Sequence, residues 1–202
     1  IILGEMSDLL LGSLKVSSRK IIESGYTFQY PYLLSALNDI CKNSTNEFIV
    51  EHWLPLPIDE MFSFFKEPKN LEKITPGYLN FKVLNQSSKE INEGTKINYR
   101  LSLHGIPMWW QSKIVDWEPN HKFSDTQIHG PYNHWYHTHE FEEKEGGTLI
   151  RDHVKYKLPF GIPGDCVAGS WVQKDLENIF DFRKKKIREI FEDQILSSHS
   201  KV

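Results

Sequence analysis

Two histidines and two aspartates close together in the chain have the types and spacing for proton transfer, ligand orientation or metal binding. His137 and His139 stand two residues apart in the run Trp135-Tyr136-His137-Thr138-His139-Glu140-Phe141, with Asp125 before it and Asp152 after it. In an extended chain side chains alternate between faces with period two, so both histidines share one face. Glu145-Gly146-Gly147 follows, and glycine supplies the positive φ that a tight hairpin turn needs. A two-residue turn at Glu145-Gly146 pairs Phe141 with Ile150, His139 with Asp152, His137 with Val154 and Trp135 with Tyr156. A short connection through Gly130-Pro131-Tyr132-Asn133 brings Gln127 near Trp135 and Asp125 near His137.

One face of this hairpin is therefore aromatic and aliphatic, interrupted by Asp125, Gln127, His137, His139 and Asp152. Buried polar groups need partners. One reading has each histidine hydrogen-bonded to an aspartate, as a structural pair or as a group that orients a ligand. A second uses His137 or His139 with Asp125 or Asp152 as an acid–base pair. A third is a metal site, because some zinc sites use two histidines at this spacing with a carboxylate as third ligand. No metal is expected, since only two histidines share the face and no cysteine lies nearby. No serine or cysteine sits in a nucleophile-elbow or triad context.

The surrounding pattern supplies the elements that must hold these side chains. Glu47–Leu54 alternates as a strand. Pro57 suits the first position of a helix whose stripe is Ile58, Met61, Phe62 and Phe65. Asn70–Ile74 predicts a second short helix. Strands are predicted over Leu79–Asn85, Lys96–Leu103, Met108–Trp117, Lys122–His129, Asn133–Lys144 and Thr148–Leu158. A long helix is predicted over Gly169–Asp193, with Val172, Leu176, Ile179, Phe180, Ile187, Ile190 and Phe191 along one face and residues 194–202 frayed. Its stripe must lie across a curved antiparallel sheet. Arg183 interrupts that stripe. Either its stem packs while its head reaches water, or it is an inward cation facing Asp125, Asp152 or an anionic ligand.

The 202 residues allow one sizeable domain plus an appendage. The net charge of −3 mixes both signs, which leaves no electrostatic footprint for nucleic acid. Cys41 and Cys166 are far apart, as for free thiols in a reducing, cytoplasmic compartment. No apolar run approaches the ~20 residues of a membrane span, and no signal peptide is evident. The chain begins with Ile1 rather than Met, which reads as a fragment or processed product. Residues 1–45 form a separate unit of short helices, too small to hold a core alone. It is expected to dock through Leu9, Leu10, Leu33, Leu34 and Leu37 on another chain or on the following domain. Residues 46–193 make the main domain and 194–202 a tail.

Within the first unit, Leu3-Gly4-Glu5-Met6, Leu10-Leu11-Gly12-Ser13 and the run from Ser24 to Leu37 resemble the C-terminal segment of bacterial epimerase-like proteins of the extended short-chain dehydrogenase superfamily. The glycine-rich dinucleotide fingerprint is absent from this chain, so NAD(P) would belong only to a preceding domain. From about residue 47 to 192, the order of elements resembles the helix-grip fold of the START-like (SRPBCC) superfamily, which includes polyketide cyclases and lipid-transfer proteins. Asn70–Pro76, the Trp110–Trp117 run with Glu118-Pro119, and Asp125–Phe141 with its Trp135, His137, His139 and Phe141 core are similar to a bacterial ligand-binding subfamily of it. The resemblance implies an α+β helix-grip fold that binds a small hydrophobic or amphipathic molecule, without nucleic acid or membrane. The contacts expected from the face assignments are Trp110, Trp135, Phe141, Val154, Tyr156 and Phe180, with Gln127, His137, His139, Asp125, Asp152 and Arg183 as polar groups. The expected cavity is bounded by Trp135, His137, His139, Asp152 and Tyr156 on the sheet and by Leu176, Ile179, Phe180 and Arg183 on the helix. A cyclase- or dehydratase-type enzyme, and a ligand-free partner of an epimerase-like half, are the alternatives.

Overall fold

The structure, a computed structural model, describes residues 17–33, 35, 36, 39, 45–159 and 162–199, with backbone alone for 162–167 and 197–199. The chain divides into two compact units, Ile1–Asp39 and Ile40–Val202. In the first, helix α1 (Arg19–Glu23) begins after Ser18 and is closed by Gly25 at φ +86°. The expected helix before it lies outside the described residues, as do Leu9, Leu10, Leu34 and Leu37; Leu33 is exposed.

The second unit carries β1 (Asn46–Leu54), α2 (Ile58–Phe65), α3 (Pro68–Lys73), a 3-10 turn at Gly77–Leu79, and strands β2 (Lys82–Gln86), β3 (Lys96–Leu103) and β4 (Ile106–Glu118). Then come β5 (Lys122–His129), β6 (His134–Lys144), β7 (Gly147–Lys157) and helices α4 (Ile162–Ile190) and α5 (Glu192–His199). The strands form one curved antiparallel sheet of seven in the order β1-β7-β6-β5-β4-β3-β2. This is the expected α+β helix-grip arrangement of a long helix on a curved sheet.

Turn chemistry sets the registers. His104-Gly105 and Glu145-Gly146 both have positive φ at the two central positions, the backbone whose twist matches that of the flanking strands. Each thus closes a hairpin with no slack. Across β6 and β7, Phe141 pairs with Ile150, His139 with Asp152, His137 with Val154 and Trp135 with Tyr156. Across β5 and β6, Asp125 pairs with His137. On β4 the register shifts around Asp116, which sits at φ +51°. This bulge lets Trp117 turn inward, where its ring meets Phe62 at 5.4 Å and Phe123 at 5.7 Å between centroids. The outward face of the hairpin is half-buried and laced with polar contacts: Arg151 pairs with Glu51 (2.7 Å) and Glu140 (3.2 Å), and His153 Nε2 hydrogen-bonds Glu47 Oε2 (3.0 Å).

Three features of the C-terminal part differ from the expectation. Helix α4 starts at Ile162, ahead of the expected Gly169. Pro163 does not prevent this, because the first-turn N–H groups have no intrahelical partner to lose. Past a break at Phe191 the chain is helical again to His199, where a frayed tail was expected. Phe191 and Ile195 explain this, since both pack on the core of Leu54, Met61, Phe62, Phe141 and Ile187. Conversely Ile190, placed on the apolar stripe, is exposed.

β1 seats one edge of α4. His52 on β1 is buried, and its Nε2 accepts from the Arg188 Nε–H at 3.3 Å. Burial, then the charges of Arg188 and Lys184, depress its pKa from 6.5 to about 4. The unfolded chain protonates this imidazole near pH 6.5 while the folded chain does not until about pH 4. Its contribution is therefore present above pH 6.5 and is lost as pH falls through that window. Wild type minus His52→Leu should lose on the order of 2–3 kcal/mol between pH 7 and 4 by urea unfolding, since other titrations cancel in the difference. A difference independent of pH would contradict it.

Candidate functional site

Between the sheet and α4 lies a cavity of about 170 Å³. Its sheet wall is Tyr99, Leu101 and Leu103 of β3, Met108 and Trp110 of β4, Asp125 of β5, and Trp135, His137 and His139 of β6. Its helix wall is Asp175, Leu176, Ile179, Phe180 and Arg183 of α4. Leu71 and Thr75, Leu79 and Phe81, and the Pro131-Tyr132 loop complete it. Most of this lining is apolar. Trp110, Tyr132 and Trp135 form one aromatic group, with ring centroids 4.9–5.6 Å apart. Near the β3–β4 turn, His104 Nε2 meets Asp175 Oδ2 at 2.8 Å and ties the hairpin to α4.

In the lining, to whose polar part Asp175 and Thr75 also contribute, Asp125, His137, His139 and Arg183 form one polar group. Asp152 stands behind them, 5% exposed. His137 Nε2 lies 3.0 Å from Asp152 Oδ1 in a hydrogen bond. His139 Nδ1 is 2.6 Å from the same oxygen, yet it makes no aligned hydrogen bond. Arg183 Nη1 is 4.0 Å from that oxygen, and its guanidinium carbon sits 4.6 Å above the Phe180 ring. Arg183 Nε has no partner among the described residues. The two imidazoles stand 4.0 Å apart between centroids.

Electrostatics sorts these groups. Burial opposes ionisation of Asp152, but attraction to His139 and the hydrogen bond from His137 prevail and hold its carboxyl well below the usual carboxylate range. Burial pushes Asp125 up to about 6, against the attraction of His139 and Arg183. Burial, with His139 alongside, drives His137 down to about 3, so it is a neutral imidazole at neutral pH. Burial also lowers Arg183. At neutral pH the cluster holds an ionised Asp152 beside a guanidinium, and a carboxyl at Asp125 that titrates near the physiological range.

The cavity gathers Trp110, Trp135, His137, His139, Asp125, Phe180 and Arg183 of the expected site. Five expected contacts fall elsewhere. Phe141 is 4% exposed and packs with Phe62 and Phe65 under α2. Val154 and Tyr156 are closed over by Phe48, Leu158, Leu176 and Phe180. Asp152 lies behind the histidines. Gln127 turns to its own loop, donating to the Tyr132 carbonyl at 2.7 Å. The physical reason is common to the first three. Where α4 or α2 touches the sheet, an inward side chain is core; only where it stands off does it line space. Sequence reasoning missed Leu71, Tyr99, Leu101, Leu103 and Met108. The signal was present, since Leu101 and Leu103 alternate with Ser102 on one strand and Met108 pairs with Leu101.

Comparison with known proteins agrees with this architecture. Residues 54–179 match the family described as polyketide cyclase / dehydrase and lipid transport. Residues 1–40 match a domain of unknown function, DUF1731, which fits an epimerase-associated segment. No curated protein sequence matches the chain. Among solved structures, the di-domain ARO/CYC StfQ from the steffimycin biosynthetic pathway aligns with TM-score 0.62 at 11% identity, over 80% of this chain and 54% of its own. The ginseng major latex-like protein 151 from Panax ginseng aligns at 0.56 and 13%, over 72% and 96%. A nucleoside-diphosphate sugar epimerase from Corynebacterium glutamicum aligns at 0.54 and 19%, over 72% of this chain and 29% of that one. At these identities the likeness is one of fold. Among the described residues no helix is long and apolar enough to cross a membrane. With its sheet, its cavity under α4 and the match over 54–179, the chain belongs to the polyketide cyclase / dehydrase and lipid transport family.

Proposed function

We propose that the protein binds one small hydrophobic or amphipathic molecule between the sheet and α4. The apolar body lies against Trp110, Trp135, Leu103 and Met108, and a polar group meets Asp125, His137, His139 and Arg183. One observation carries this reading: the inward side chains leave about 170 Å³ unfilled at the place where four polar side chains converge. Apolar walls with a few convergent polar groups are the usual make-up of small-molecule sites. A purely structural partner module has no need to keep such a space.

Acid–base catalysis of a cyclase or dehydratase kind is the second reading. It is favoured by Asp125, pushed up to about 6, with Oδ2 3.6 Å from His137 Nδ1. A general acid–base group works best when its pKa lies near the operating pH. The match over residues 1–40 and the epimerase-containing neighbour support a third element of the proposal. In it the chain is the ligand-binding part of a bacterial, cytoplasmic assembly with an epimerase-like domain, and any NAD(P) sits in that domain.

The test uses an apolar fluorescent probe, 1-anilinonaphthalene-8-sulfonate. Wild type is expected to bind it saturably with one-to-one stoichiometry. Met108→Asp puts a charge on the half-buried sheet wall without touching the tightly packed core. It should weaken binding by about tenfold or more, a change of roughly 1.4 kcal/mol, while the thermal midpoint moves little. Absence of saturable binding, or equal affinity in the variant, would overturn the proposal. Native mass spectrometry of protein from cell extract would then give the mass of the natural ligand.

A further inference from the structure

We propose that Asp125, His137 and His139 form a binding site for a divalent first-row transition-metal ion of the zinc or ferrous class, with open coordination positions facing the cavity. Each residue offers one ligand atom, and these atoms all lie within 4.8 Å of one another. Ligands at 2.0–2.2 Å from one ion stand about 3 Å apart. Closing the set therefore takes side-chain movements of roughly 1 Å, within reach of small rotations about χ1 and χ2. Two imidazoles and one carboxylate on one side of an ion are a set that suits zinc and ferrous iron.

The second observation is what stands behind the histidines. Metal-binding histidines almost always hold a carboxylate or carbonyl with the ring nitrogen that does not face the metal. Here one carboxylate does this for His137 and stands beside the ring of His139. Asp152 Oδ1 takes Nε2 of His137 at 3.0 Å and Nδ1 of His139 at 2.6 Å. That leaves Nδ1 of His137 and Nε2 of His139 as the free ligand atoms. Nδ1 of His137 already lies 3.6 Å from Asp125 Oδ2. Nδ1 of His139 is close to its acceptor but not aligned with it, so a modest rotation of that ring both completes its bond to Asp152 and turns Nε2 toward the other two ligands.

Charge balance is compatible. Asp125 and Asp152 bring two carboxylates, and Arg183, 4.0 Å from Asp152, one guanidinium. All three ligands line the cavity, so the remaining coordination positions are open to water or to an oxygen of a bound molecule. The inference reverses the expectation of no metal, which rested on only two histidines sharing the face and no cysteine lying nearby. The position of Asp152 Oδ1 behind both rings is a feature of the assembled sheet. It stands independently of the small-molecule reading.

The test uses the full 202-residue chain, prepared without metal-affinity resin, stripped with chelator and dialysed free of it. Titration with Co²⁺ should give one bound ion per chain and visible d–d absorption bands, and Zn²⁺ should displace it. His137→Ala and His139→Ala should each weaken Co²⁺ binding by about 100-fold or more. Asp152→Asn, a positioning change, should weaken it by about 10–100-fold. X-ray absorption at the zinc edge of loaded wild type needs no variant and should show two imidazole ligands with oxygen donors. No stoichiometric uptake at micromolar metal overturns the inference. So does unchanged affinity in both histidine variants, or a zinc environment with fewer than two imidazoles. Probe binding by metal-free protein would leave the small-molecule reading intact in each of these cases, so the two fail separately.

Discussion

Asp152→Ala is expected to lower the free energy of unfolding by about 3–5 kcal/mol, the range for removing one member of a buried ion pair. Asp152 is 5% exposed and Arg183 8%. The carboxylate is also the acceptor for His137 at 3.0 Å. Without it the Arg183 cation remains in a site where its Nε already lacks a partner among the described residues, and two imidazoles lose their common anchor. The cost is thus desolvation left uncompensated rather than one lost contact. Two features separate this from a packing defect. Arg183→Met in the Asp152→Ala background should restore part of the loss, because it removes the stranded charge. The loss should also shift the urea midpoint without changing the slope of the transition. A loss below about 1 kcal/mol would mean that water reaches the cluster and solvates Arg183 directly.

Phe180→Ala is expected to cost a further about 3–5 kcal/mol, as for other buried phenylalanines. The Phe180 ring is 4% exposed and lies 5.1 Å from Phe48 and 5.7 Å from His137 between centroids. It belongs to the cluster of Phe48, Val154, Tyr156, Leu158 and Leu176, and it also forms a cavity wall. Truncation leaves a void that joins the existing space, so the stability loss should come with continued probe binding and a changed probe emission. Urea unfolding and the 1-anilinonaphthalene-8-sulfonate titration read the two effects. A small loss with unaltered emission would show that neighbouring side chains collapse into the gap.

These two residues divide what each level of description decides. For the β6–β7 hairpin, sequence alone was enough. Glu145-Gly146 demands one turn type, that turn admits one register, and period-two alternation then assigns every side chain to a face. The pairing of His139 with Asp152 and of Asp125 with His137 followed from local rules, as did the order of strands before a long helix. Tertiary structure decided which inward side chains touch a helix and which face empty space. Phe141, Val154 and Tyr156 are as inward as Trp135 and His137, yet the first three are core, because α2 and α4 press on the sheet there. The helix end was likewise a tertiary matter, since Phe191 and Ile195 gain their burial only from Leu54, Met61 and Ile187. The sharing of one Asp152 oxygen by two imidazoles is of the same kind. Alternation puts three side chains on a face; only the twist and curvature of the folded sheet decide whether they converge on a point.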